Sequence, residues 1–141
     1  YFALPGIGID PEVSRDWLAV ACASAAVVGH VFPVWYGFRG GKGAATLIGV
    51  LIGLEPIALG PVIAVWLLVV AMTGFVGLAT MIATFSFVVF LLAFPQHSAN
   101  ALLFFGIAMT LFVCYTHRSN IARMHAGTEN RAHRLWLLRP R

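Results

Sequence analysis

Polar positions punctuate this chain at a few widely spaced points and leave five apolar segments between them. The first runs from about 17 to 36, long enough to cross a bilayer as a helix. The second, 44–54, is short and ends at Glu55-Pro56. The third runs from 57 to about 72, and Thr73-Gly74 separates it from the fourth, 75–94. A polar turn, 95–100, precedes the fifth, 101–116, and the tail from His117 is basic and polar until Leu135-Trp136-Leu137-Leu138. No internal repeat interrupts this order. The pattern predicts an all-α, polytopic membrane helix bundle of about five membrane segments, one of them short or re-entrant, in a single integral-membrane domain over residues 1–141.

Composition strengthens that picture. Hydrophobic residues make up 60% of the chain and charged residues 10%, against roughly a quarter charged in a soluble domain. Between Lys42 and His117 the ionisable groups of note are Glu55 and His97. The net charge of +4 does not point to nucleic acid, because the cations lie in membrane-flanking loops and not along one basic face. Cys22 and Cys114 lack metal-ligand or redox spacing and read as small core hydrophobes. The histidines are scattered and no carboxylate cluster accompanies them, so no metal and no cofactor is expected.

The cations also set an orientation. Arg39 and Lys42 mark one loop as cytoplasmic, and Arg118, Arg123, Arg131, Arg134, Arg139 and Arg141 place the tail on the same side. An even number of crossings must then separate them, which requires 44–72 to be two helices hinged at Glu55-Pro56. At about 1.5 Å per residue the first of these covers only about half of the hydrocarbon thickness. Short helices in membranes are tolerated chiefly beside a cavity or a buried site, which directs attention to the start of this one.

That start is the chemically densest part of the chain. Residues 29–46 read GHVFPVWYGFRGGKGAAT, with Gly37, Gly40, Gly41 and Gly43 around Arg39 and Lys42. Glycines let several backbone N–H groups turn toward one ligand, and the following helix adds its positive end. Lys42 contributes a point charge and Arg39 a planar fork suited to phosphate oxygens. Both cations also serve as topology signals, and His30 is open to two readings: a hydrogen bond within the loop or a substrate contact. A second cluster, His117 to Asn130, follows the last apolar segment. If the fifth helix continues past Thr116, His117, Asn120 and Met124 share one face, and Arg118, Ala122 and His125 an adjacent one. Gly127 is placed to close that helix, with Thr128-Glu129 starting another turn. Arg118 and Arg123 suit lipid headgroups as well as substrate. Gly49 and Gly53 suit close helix packing. Trp17, Trp35 and Tyr36 fit an interfacial belt, with Trp136 holding the tail on the membrane.

In these two stretches the chain resembles the membrane-integral bacterial glycerol-3-phosphate acyltransferases that use acyl phosphate as donor, the PlsY family. The family pattern G-H-x-F-P followed by [KR]-G-G-K-G-x-A-T is matched from Gly29 to Thr46, and H-R-x-N-I-x-R-[LM]-x-x-G-T-E from His117 to Glu129. The family's earlier motif, G-S-G-N-x-G-A-T-N, has no counterpart. With a start at Tyr1 instead of Met, the expectation is that this chain is the C-terminal part of a longer protein, without the serine and arginine that the family uses there to hold phosphate.

The resemblance implies transfer of a fatty acyl group from acyl phosphate to the 1-hydroxyl of glycerol 3-phosphate, giving lysophosphatidic acid and phosphate in phospholipid synthesis. It implies His117, Asn120 and Lys42 as catalytic residues. It implies a substrate-phosphate site from His30, Arg39, Gly40, Gly41, Lys42, Gly43, Thr46, Arg118 and Glu129. Asn120 would orient the attacking hydroxyl or a phosphate oxygen, and His117 is expected to donate a hydrogen bond to phosphate more than to act as a base. Implied partners are the two phosphate substrates, membrane lipids and a missing N-terminal segment of the same protein. The implied location is the bacterial cytoplasmic (inner) membrane, multi-pass, with site and C-terminus facing the cytoplasm. An anion transporter would also use short helices and a glycine-rich loop, but it should carry polar groups across the midplane, where these segments have almost none. A non-catalytic membrane subunit is the other alternative.

Overall fold

The computed structural model describes residues 14–97 and 99–137. Among them the regular structure is helical: α1 (Arg15–Val31), α2 (Ala44–Leu54), α3 (Pro56–Thr73), α4 (Val76–Ala93), α5 (Asn100–Thr116) and α6 (Arg118–His125), with short 3₁₀ turns at Val34–Tyr36 and Pro95–His97. All five expected apolar segments are present as helices. Helix α1 stops at Val31, short of the expected Tyr36, because Pro33 disfavours a helical residue before it and offers no N–H.

The hinge between α2 and α3 follows from Pro56, which sits in the first turn of α3, where its missing N–H costs nothing. Glu55 there is 3.2 Å from His97 Nδ1, tying the α2–α3 hinge to the α4–α5 turn at one end of the bundle. At the other end, the α3–α4 turn is closed by Gly74 in the left-handed region (φ 75°). Thr73 Oγ1 donates to Val69 O at 2.7 Å and accepts from Phe75 N at 3.1 Å.

Helix α4 packs against both α3 and α5, and α1 lies along α5 and α2. The core joins Val20, Val27, Leu51, Ala58, Phe87, Leu91 and Phe105. Outward positions are equally apolar: Leu67, Leu68, Phe85, Leu92, Phe104 and Leu111 are exposed. A water-soluble protein would not leave such a girdle uncovered, whereas lipid covers it. Helices α3 and α4, and α1 with its 3₁₀ extension, are long and apolar enough to cross a membrane, and α2 is shorter. The chain is a multi-pass membrane protein.

Two packing expectations are corrected. Cys22 is exposed and Cys114 only partly covered, because hydropathy alone does not separate a core position from a lipid-facing one. A Cβ on Gly49 or Gly53 would meet nothing within 4 Å, so these glycines do not mark a close helix contact.

Candidate functional site

The glycine loop and the His117 cluster meet at one end of the bundle. Lys42 Nζ donates to Asn120 Oδ1, and Thr116 Oγ1 donates to Lys42 O at 3.1 Å. Residues 78 positions apart in sequence are thus joined, as an even number of crossings between loop and tail requires.

The loop is built against the end of α1. Gly40 N donates to Val31 O at 3.1 Å and Gly41 N to His30 O at 3.3 Å, so these two amides cap α1. That differs from the expected ring of N–H groups turned toward a ligand: the last carbonyls of α1 lack partners of their own and take them. Close approach is why glycine is needed. A Cβ on Gly40 would lie 2.1 Å from His30 O, and one on Gly41 2.5 Å from His30 Nε2. His30 therefore braces the loop. Gly43, buried and at φ 84°, is the N-cap of α2. The N–H groups of Ala44, Ala45 and Thr46 begin the helix and have no intrahelical acceptors, so the positive end of α2 opens beside Lys42.

At the other side of the junction, α5 and α6 are bent by 55° at His117, so the fifth helix does not run straight on. His117 and Asn120 are nevertheless both buried, while Met124 is only partly covered. His117 Nδ1 lies 2.9 Å from Val113 O. A carbonyl can only accept, so the proton sits on Nδ1 and neutral His117 presents Nε2 as an acceptor. Burial holds the imidazole below its ordinary value of 6.5; Lys42 adds to this, while the Val113 bond and Glu129 oppose it. The expected donor role would need a proton on Nε2 as well, the charged form that burial disfavours.

Asn120 is held from three sides. Lys42 donates to its Oδ1, its Nδ2 donates to Glu129 Oε1 at 2.5 Å, and Gly77 of α4 leaves room for its side chain, where a Cβ would stand 2.9 Å from Nδ2. The Arg123 Nε–Glu129 Oε2 pair at 2.6 Å is the main reason the Glu129 carboxyl lies below its ordinary range, with the Asn120 bond next among the lowering causes. Glu129 is an acceptor for Asn120 and Arg123, and a carboxylate in that place repels a phosphate. Arg123, Glu129, Asn120 and Lys42 thus form one continuous polar chain. Gly127 closes α6 at φ 69° as expected, with Thr128 N bonded to Arg123 O at 2.9 Å, but no new turn starts at Thr128-Glu129.

Arg39 is exposed on the loop. Arg118 is exposed; its guanidinium stacks over Tyr115 at 4.5 Å and donates to Tyr115 O at 3.1 Å. Trp136, expected to hold the tail on the membrane, instead donates through Nε1 to Met72 O at 3.1 Å.

A groove lies beside α2, where the shortness of that helix leads us to expect a cavity, but its course between four helices is not marked in the sequence. A cavity of about 320 Å³ starts at Ala44 and runs between α2, α3, α4 and α5, lined by Leu47, Leu51, Trp66, Phe87 and Met109 among others. Its few polar groups are turned inward: Trp66 Nε1 donates to Thr80 Oγ1 at 3.2 Å, and the Thr80 and Thr84 hydroxyls donate to helix carbonyls. The wall is apolar along its length, and its lining reaches Ala44, the first residue of α2.

A family model described as glycerol-3-phosphate acyltransferase matches residues 3–127. A curated relative named glycerol-3-phosphate acyltransferase from Chlorobium luteolum is 34% identical over 154 aligned positions, covering 93% of this chain and 66% of its own. One of the same name from Synechococcus elongatus is 40% identical, covering 88% of this chain and 58% of its own. The chain thus spans about two thirds or less of the length of these relatives. Two crystal structures of PlsY, an integral membrane glycerol 3-phosphate acyltransferase, superpose on it. The lysophosphatidic acid form has TM-score 0.78 and 35% identity over 84% of this chain and 61% of that one. The glycerol 3-phosphate form has TM-score 0.76 and 36% identity, over 82% and 56%.

Proposed function

The chain belongs to the glycerol-3-phosphate acyltransferase family, and from that membership and the site we propose that it carries the acyl-transfer centre of an acyl-phosphate-dependent enzyme acting on glycerol 3-phosphate. The observation that carries this reading is one helix start: Lys42, bonded to Asn120, lies just ahead of α2, and α2 from Ala44 onward lines an apolar groove. An acyl phosphate has that same polarity, with an anionic head and a long apolar chain. The bound ligands named for the two PlsY structures support glycerol 3-phosphate as acceptor and lysophosphatidic acid as product.

In this reading the N–H groups of Ala44, Ala45 and Thr46, with Lys42, receive phosphate oxygens, and the acyl chain lies along Leu47 and Leu51. The 1-hydroxyl oxygen of glycerol 3-phosphate attacks the acyl carbonyl carbon. The bond from that carbon to the phosphate oxygen breaks, and phosphate leaves with the electron pair. Nε2 of His117 accepts the hydroxyl proton, and Asn120, held by Glu129, orients the acceptor. The leaving group is already good, so placement and charge stabilisation supply most of the effect. Arg39, exposed on the loop, draws both anions toward the start of α2.

Protein in lipid vesicles, given palmitoyl phosphate and glycerol 3-phosphate, should release lysophosphatidic acid and phosphate in equal amounts. Vesicle uptake of the anion without product would favour a transporter instead. The acid limb of the same reaction reports His117. The neutral imidazole is the working form and its pKa lies below 6.5, so activity should hold through neutral pH and fall only below 6.5. An acid limb centred above 6.5 would remove His117 from this role.

The cationic loop and tail support a cytoplasmic orientation for this end of the bundle, in a bacterial inner membrane. Single cysteines at Ala45 and Ser119 should react with an impermeant thiol reagent from the cytoplasmic side only; labelling from opposite sides would refute the orientation.

A further inference from the structure

Beyond α6 the chain folds back as a strap over the α3–α4 turn. Ala132 N donates to Gly74 O at 2.8 Å, Leu137 N to Ala71 O at 2.9 Å, and Trp136 Nε1 to Met72 O at 3.1 Å. These carbonyls end α3 and have no helical partners, so the strap completes the helix. Arg131 is clasped between two rings, its guanidinium 4.6 Å from the Phe75 centroid and 4.2 Å from that of Trp136. Gly74 admits the strap: a Cβ there would meet Arg131 Cβ at 3.1 Å and Trp136 Cγ at 3.2 Å.

We propose that this strap, residues 128–137, is a positioning device for the Lys42–Asn120 pair, with Arg131 as the residue that fastens it. Tether length links the strap to the pair. Gly127 ends α6 and Ala132 is bonded to Gly74, so Glu129 sits on a short span fixed at both ends. From there its carboxylate holds Asn120 Nδ2, and Asn120 holds Lys42. Strap and Asn120 also bear on the same turn of the bundle, at Gly74 and Gly77. Releasing Arg131 lets Glu129 retreat, and Asn120 loses the acceptor that orients its amide. The proposal rests on the acyltransferase reading for its kinetic consequence, though not for its structural one.

The test is a double-mutant cycle with a substrate-free readout beside it. Arg131→Ala should lower kcat/KM for glycerol 3-phosphate about tenfold, as expected for two lost cation–π contacts. Arg131→Lys, which keeps a cation between the rings, should recover most of that loss. In a Glu129→Gln background, Arg131→Ala should cost less than about twofold further, because both act through one path. In protein without substrate, Arg131→Ala should speed hydrogen exchange in α6 and in the strap together, and Arg131→Lys should not. Additive losses in the cycle, or unchanged exchange in α6, would overturn the proposal. If the parent protein transfers no acyl group, the exchange measurement still decides the strap.

Discussion

Replacing Lys42 by alanine is expected to lower kcat/KM for glycerol 3-phosphate about 30- to 150-fold while leaving the bundle folded. The figure follows from one charge-assisted phosphate hydrogen bond, on the order of 2–3 kcal/mol, converted at about 1.4 kcal/mol per decade. Lys42 is exposed on the loop and takes no part in the helical core, so the loss should fall on function and not on expression. Its removal also leaves Asn120 Oδ1 without the donor it has here, which adds to the effect on substrate orientation. Turnover close to that of the parent would remove Lys42 from the site.

A comparable loss is expected from Gly40→Ala, for a steric reason. The added carbon would stand 2.1 Å from His30 O and 2.7 Å from Val31 O, both backbone atoms that cannot swing aside. The loop must move away from α1, giving up the Gly40 and Gly41 hydrogen bonds and carrying Lys42 with it. Two backbone bonds at about 1 kcal/mol each, with overpacking strain of about 1–3 kcal/mol, put the local cost near 3–5 kcal/mol. Acyl transfer should fall by about a hundredfold or more, with helical circular dichroism retained. Gly49→Ala is the control, since nothing lies within 4 Å of a Cβ there. Equal activity in the two variants would mean that close packing at Gly40 does not set the site.

The residues differ in how far the amino-acid sequence alone reveals their roles. The α2–α3 hinge is legible because Glu55-Pro56 carries its own mechanism, a proline that fits only the first turn of a new helix. Charge in the loop and tail requires four crossings, and the Lys42–Asn120 contact agrees. The bend at His117 leaves no such mark, since the apolar run passes into the cluster without glycine or proline. Gly40 and Gly41 are legible as a tight loop, yet composition cannot say whether amides in a loop face a ligand or the end of the preceding helix. Glu129 is visible as a motif position, but its service to Asn120 depends on a short return of the chain that local sequence does not encode. The clasp of Arg131 by Phe75 and Trp136 joins residues more than fifty positions apart in one case and five in the other. Only the longer pairing makes it a strap, and no local pattern marks that pairing. The course of the apolar groove is hidden for a related reason: lining and lipid-facing positions have the same hydropathy.

The most direct measurement is a structure of the full-length protein with glycerol 3-phosphate bound. The account predicts the phosphate within hydrogen-bond distance of Lys42 Nζ and of the N–H groups at Ala44, Ala45 and Thr46, with the 1-hydroxyl turned toward Nε2 of His117. A phosphate seated instead on Arg39 or Arg118, with the Lys42–Asn120 contact left away from the ligand, would contradict it.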